Sequence, residues 1–204
     1  MSKRNMIFFI LPVLLWPLVF VIFASIFLYV MVIITLFLGL STILLFKKDL
    51  HSLFYKGAQK ITIKFVFISL IAAIILYIIF LLGGKASYQL GIGYLVLNIY
   101  DVLLSVNKIY LSITLIIIGI MEEIYWRGFV QGIFIDNNAT YPWILSTIYY
   151  SIVHAVTFNY ILVIAAFIVG LVTGYVAFKF GIVYSILTHI IWLEIVIVLF
   201  PVLP

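Results

Sequence analysis

The chain has no cysteine among its 204 residues. That excludes disulfides, thiolate-ligated zinc, iron–sulfur clusters and a thiol nucleophile. Charge is nearly as scarce. Only 8% of residues are Asp, Glu, Lys or Arg, against about a quarter in a soluble domain. With 68% hydrophobic residues and a mean hydropathy of +1.42, nothing remains to build a wettable surface, so a soluble globular domain is excluded. Three protease signatures are missing as well: there is no His-Glu-x-x-His and no Gly-x-Ser-x-Gly, and Gly91-Ile-Gly93 is followed by Tyr94 rather than an aspartate. The apolar runs are long and unalternated, which excludes a barrel of ~10-residue strands.

What is present suits a bilayer. A spanning helix needs roughly 20 apolar residues, so the chain has room for about seven spans, six to eight at the limits. The expectation is one integral membrane domain over residues 1–204, an all-α polytopic helical bundle. MSKRN at the start resembles a signal peptide, but the uncharged run from Met6 to Phe46 is too long for one and reads as a retained helical pair turning near Phe23 to Ser25. A third span is expected from about Ile61 to Leu82, stopping at Gly83-Gly84. Residues 86–108 read as a loop with an interfacial helix. Spans four to seven are expected at Ile109–Phe134, Tyr141–Phe158, Tyr160–Phe178 and Gly181–Phe200.

The net charge of +5 does not call for nucleic acid, because the lysines sit between spans. Lys3, Arg4, Lys47, Lys48, Lys56, Lys60, Lys64 and Lys179 fall on one side of a seven-span topology, and only Lys85 and Lys108 on the other. The positive-inside rule then places the N-terminus inside and the C-terminus outside, in the plasma membrane if the source is prokaryotic. His51 belongs to the basic loop and needs only solvation.

Ionisable groups inside spans are a functional hypothesis by default. Here these are Glu122, Glu123, Arg127, His154, His189 and Glu194. At ~100° per residue, Arg127 lies about 40° around the helix from Glu123 but about 140° from Glu122. Glu123 and Arg127 therefore form a self-neutralising i,i+4 pair, whereas Glu122 must find its partner on another helix. Span five offers a stripe of Thr147, Ser151, His154 and Thr157; span seven offers Ser185, Thr188 and His189. Gly128/Gly132 and Gly170/Gly174 are small-residue pairs that permit close helix packing. Glu194 alone reads as an end-of-helix residue near the outer interface.

One carboxylate and two imidazoles around a wettable cavity support more than one chemistry. Glu122 can act as general base on a water that His154 and His189 orient, or the three can hold a catalytic zinc with an open water position. Both lead to hydrolysis of an acyl bond. The same side chains serve proton or ion translocation equally well, and a purely structural polar network is the third reading.

Taken together, Glu122-Glu123-x-x-x-Arg127, Tyr150-x-x-x-His154 and His189 resemble the motifs of the CPBP family. These are the CAAX proteases and bacteriocin-processing enzymes, also called Abi proteins, and the resemblance covers about residues 110–200. It implies a CAAX-protease-like core in which Glu122 activates water, His154 helps to position it, His189 stabilises the oxyanion, and Glu123 with Arg127 is structural. It also implies an endopeptidase, metal- or glutamate-dependent, whose substrate is a peptide or membrane-protein segment, prenylated or not. Two positions depart from the pattern. Tyr150 stands where Phe is usual, and Leu193 stands where the third motif usually has Asn or Asp. Leucine neither donates a hydrogen bond nor ligates a metal, so a weak or silent membrane scaffold or immunity protein is the alternative, with a proton-coupled transporter behind it.

Overall fold

The computed structural model describes residues 2–46, 63–103 and 105–203. The expected basic loop with Lys47, Lys48, His51, Lys56 and Lys60 lies outside the described residues. Among those described there are eight helices and no strand. They are α1 (Lys3–Ile22), α2 (Ala24–Leu45), α3 (Ile63–Gln89), α4 (Tyr94–Leu103), α5 (Lys108–Asp136), α6 (Pro142–Val153), α7 (Tyr160–Phe180) and α8 (Ile182–Leu199). Six of the eight are long and apolar enough to cross a membrane. The two shorter ones are α4, the helix expected beside the interface, and α6, which a 3-10 turn extends through Thr157. This is an all-α polytopic bundle of an integral membrane protein.

The helix ends follow local chemistry. In α5 the Asn107 side-chain oxygen accepts from the backbone N–H of Ile109 at 2.9 Å, which supplies one of the donors a helix start leaves unpaired. Asn159 does the same for α7 through Leu162 N–H, at 3.2 Å. Its amide also donates to the carbonyl of Leu95 at 2.8 Å and so ties α4 to α7. Between α7 and α8 the chain turns at Gly181, whose φ of 109° is closed to other residues without strain.

One expected boundary is corrected. The third span does not stop at Gly83-Gly84; α3 continues to Gln89, and the turn comes at Gly91 with φ 75°. Glycine inside a helix costs only about 1 kcal/mol relative to alanine, which does not by itself force a break. Ser87 reinforces this stretch by donating to the carbonyl of Gly84 at 2.6 Å.

The core of the bundle is formed by α5 and α8, with α6 and α7 packed tightly against each other beside them. Small residues make that approach possible. A Cβ added at Gly170 would sit 2.9 Å from Thr147 Cγ2 and 3.2 Å from its Oγ1. The stripe of α6 thus faces inward, and Thr147 is fully buried. Gly170→Val is expected to destabilise the protein by ~1–3 kcal/mol, the usual range for overpacking, with a smaller loss for Gly170→Ala. Thermal melting in detergent checks this, and an unchanged midpoint would contradict the α6–α7 contact.

Candidate active site

The site begins where α5 changes geometry. Its α-helical part ends at Glu123, and residues Ile124–Val130 are π-helical before α-helix resumes at Gln131. Such wide turns are uncommon and recur at functional sites. Glu122, Glu123 and Arg127 are all buried, at 5%, 1% and 2% exposure, so each must be satisfied from within the protein.

Glu123 is satisfied several times over. Its Oε2 accepts from Arg127 Nε at 3.3 Å in a buried i,i+4 ion pair and also from the Ser185 hydroxyl. Its Oε1 faces His189 Nδ1 at 3.0 Å. Arg127 is held in turn by Ser146 Oγ at 3.3 Å and lies 5.6 Å above the Tyr150 ring. One cation and one anion sit at the centre of a hydrogen-bonded cluster from α5, α6 and α8. That matches a neutralising pair with the further partners a low-dielectric interior demands.

Glu122 is placed differently. Tyr150 OH donates to its Oε2 at 3.2 Å, while its Oε1 is buried with no hydrogen-bond partner among the described residues. The partner on another helix is therefore a tyrosine of span five. Glu122, Tyr150, His154, His189 and Leu193 all line one cavity of about 740 Å³, whose other walls are mainly apolar side chains of α2, α3, α4 and α7.

The two imidazoles were expected to meet Glu122. Among the described residues, neither makes a hydrogen bond to it. His189 Nδ1 faces a carboxylate, which only accepts, so Nδ1 carries a proton and Nε2 is the nitrogen left over. His154 is engaged at both ends. Its Nδ1 lies 2.8 Å from the carbonyl of Tyr150 and must donate to it, and its Nε2 accepts from the Trp16 indole N–H at 3.2 Å. The hydrogen bonding thus fixes one neutral tautomer.

Zinc fits this arrangement poorly. The set Glu122, His154 and His189 was expected to be able to hold one, but His154 has no lone pair to offer while Trp16 caps it. Among the described residues, no three His, Asp or Glu side chains are grouped to hold a metal ion.

Sequence reasoning missed Trp16, which reaches the site from α1. Its only signal was chemical: a buried indole N–H needs an acceptor. Trp16→Phe keeps the ring packing against Trp126 but leaves His154 Nε2 unsatisfied. The expected loss is about 1–3 kcal/mol of stability, read from the melting midpoint in detergent; no loss would mean that this contact does not hold α1 to the core.

Glu194 is not a reserve member of the site. It accepts from Ser112 Oγ at 2.9 Å on α5 and does not line the cavity. It caps the α-helical part of α8, which ends at Leu193, and begins the π-helical turn over Glu194–Leu199. Trp192 does line the cavity, and its indole N–H is buried without an acceptor among the described residues. Among the described residues, two buried side-chain atoms without a partner thus belong to cavity-lining residues: the acceptor Glu122 Oε1 and the donor Trp192 Nε1.

Neither the curated proteins nor the solved structures include a match to this chain. Residues 104–193 match the family model described as Rce1-like, type II CAAX prenyl endopeptidase Rce1-like. That segment contains every side chain of the site except Trp16, and it is what this chain shares with the type II CAAX prenyl endopeptidases, as a similarity over residues 104–193.

Proposed function

We propose that the protein is an intramembrane endopeptidase in which Glu122 activates water to hydrolyse a peptide bond of a membrane-associated or prenylated substrate. One observation carries the reading: in the cavity wall a buried carboxylate oxygen, Glu122 Oε1, has no partner among the described residues, while its twin is held by Tyr150. A water at Oε1 gives up a proton to the carboxylate as its oxygen attacks the scissile carbonyl carbon. The negative charge that develops on the carbonyl oxygen is met by a donor on the cavity wall, Trp192 Nε1–H. Glu122 then returns the proton to the departing amine. No step requires a metal from this donor set.

His154 supports the site through Tyr150, whose backbone carbonyl it fixes; it reaches a water only if Trp16 releases its Nε2. The mainly apolar cavity suits a lipid-modified or hydrophobic segment, and the lysine distribution supports an N-inside orientation. The test is a cleavage assay in proteoliposomes with a farnesylated peptide and its unmodified counterpart, with and without chelator. Cleavage that survives the chelator is expected. Intact peptide in every arm would contradict the reading.

Leu193 motivates a second reading, a CPBP-like scaffold or immunity protein without catalysis. It is buried, lines the cavity and would lie 3.3 Å from a Cβ at Gly119, so an apolar contact occupies the place of a hydrogen-bonding side chain. A biological phenotype that persists in Glu122→Gln would favour this second reading.

A further inference from the structure

The structure assigns Tyr150 as the positioning residue of Glu122: its hydroxyl pins Oε2 and thereby leaves Oε1 as the oxygen that faces the attacking water. The inference rests on Glu122 being the base. A glutamate has three rotatable side-chain bonds, and buried among apolar walls it adopts one orientation only if something holds it. For Glu122 that holder is the Tyr150 hydroxyl at 3.2 Å. It is the one hydrogen bond the carboxylate makes among the described residues.

A tether is useful only if it is itself rigid, and Tyr150 is fixed on every side. Its ring meets Trp126 edge-on, with centroids 4.9 Å apart at 67°. It meets His154 likewise, at 4.6 Å and 72°. The Arg127 guanidinium covers it at 5.6 Å, and His154 donates to its backbone carbonyl at 2.8 Å. The same residue thus joins the ion-pair cluster of Arg127 to the cavity carboxylate, and the contact between His154 and Trp16 extends that support to α1.

The geometry also explains why the two glutamates behave differently. Glu123 has three partners that saturate both oxygens, whereas Glu122 has one donor that saturates a single oxygen. A phenylalanine at 150 would preserve the ring contacts and release the carboxylate to rotate.

The test compares wild type, Tyr150→Phe and Glu122→Gln, each as the full chain in proteoliposomes. A farnesylated peptide serves as substrate, and infrared spectra of the carboxylate region are recorded without substrate. The Glu122 band is identified as the one absent from Glu122→Gln. Tyr150→Phe is expected to shift that band and to lower kcat by roughly 10- to 100-fold, the range for losing a hydrogen bond to a charged group. KM should stay within about two-fold, since substrate binding does not use that bond. A band unmoved in Tyr150→Phe would overturn the inference. Cleavage that survives Glu122→Gln would sink the base reading itself, and the infrared arm, which needs no substrate, would still decide whether Tyr150 holds the carboxylate.

Discussion

Arg127→Leu is expected to lower stability by about 3–5 kcal/mol, the range for breaking a buried ion pair from one side. The reason lies in what remains. Glu123 is 1% exposed and would keep its negative charge with no cation beside it in a water-free interior. Ser146 Oγ would lose its contact with Arg127 Nη1, and the face of Tyr150 would lose the guanidinium. Against a typical total stability of about 5–15 kcal/mol, the loss is enough to leave part of the population unfolded. Arg127→Leu with Glu123→Gln removes both charges and is expected to recover much of it. Thermal melting in detergent of the two variants against wild type checks this, and equal midpoints would show that the pair is not what makes this helix tolerable in the membrane.

The second large effect is catalytic. Glu122→Gln is nearly isosteric, so it keeps the cavity shape, and its amide oxygen still accepts from Tyr150 OH. It cannot take a proton from water. Acid–base participation by a positioned side chain contributes about 10²–10⁴-fold, and cleavage of a farnesylated peptide is expected to fall by that factor. The fold should not suffer, because the substitution removes a buried charge that has only one hydrogen bond among the described residues. Loss of activity with an unchanged melting midpoint is the expected pattern. A matching drop in stability would instead indicate a structural role for Glu122.

Some of this was legible in the sequence and some was not. The membrane bundle follows from hydropathy and run length, and the separation of Glu122 from the Glu123–Arg127 pair follows from helical angles alone. The partners of Glu122 and of the histidines did not follow. Estimates of depth along separate helices are too coarse to say which imidazole meets which carboxylate, and His189 meets Glu123 rather than Glu122. Trp16 and His154 are 138 residues apart, and nothing local links them. Gly83-Gly84 misled for a different reason. A glycine pair reads as a stop, but each glycine costs a helix only about 1 kcal/mol, and the helix runs on through both to Gln89.

Tyr150 is the instructive position. In the sequence it looked like a mild departure from a motif that usually has Phe. In the structure its hydroxyl is, among the described residues, the one hydrogen-bond donor to the carboxylate proposed to do the chemistry, and no sequence pattern states where a hydroxyl points.

The central claim is that Glu122 delivers a water oxygen to a peptide bond. It is tested most directly by digesting a farnesylated peptide in proteoliposomes in ¹⁸O-labelled water and weighing the new C-terminus by mass spectrometry, for wild type and Glu122→Gln. The account predicts a single ¹⁸O in the new carboxylate for wild type, and no product for the variant above the uncatalysed background. Labelled product formed at the wild-type rate by Glu122→Gln would contradict it.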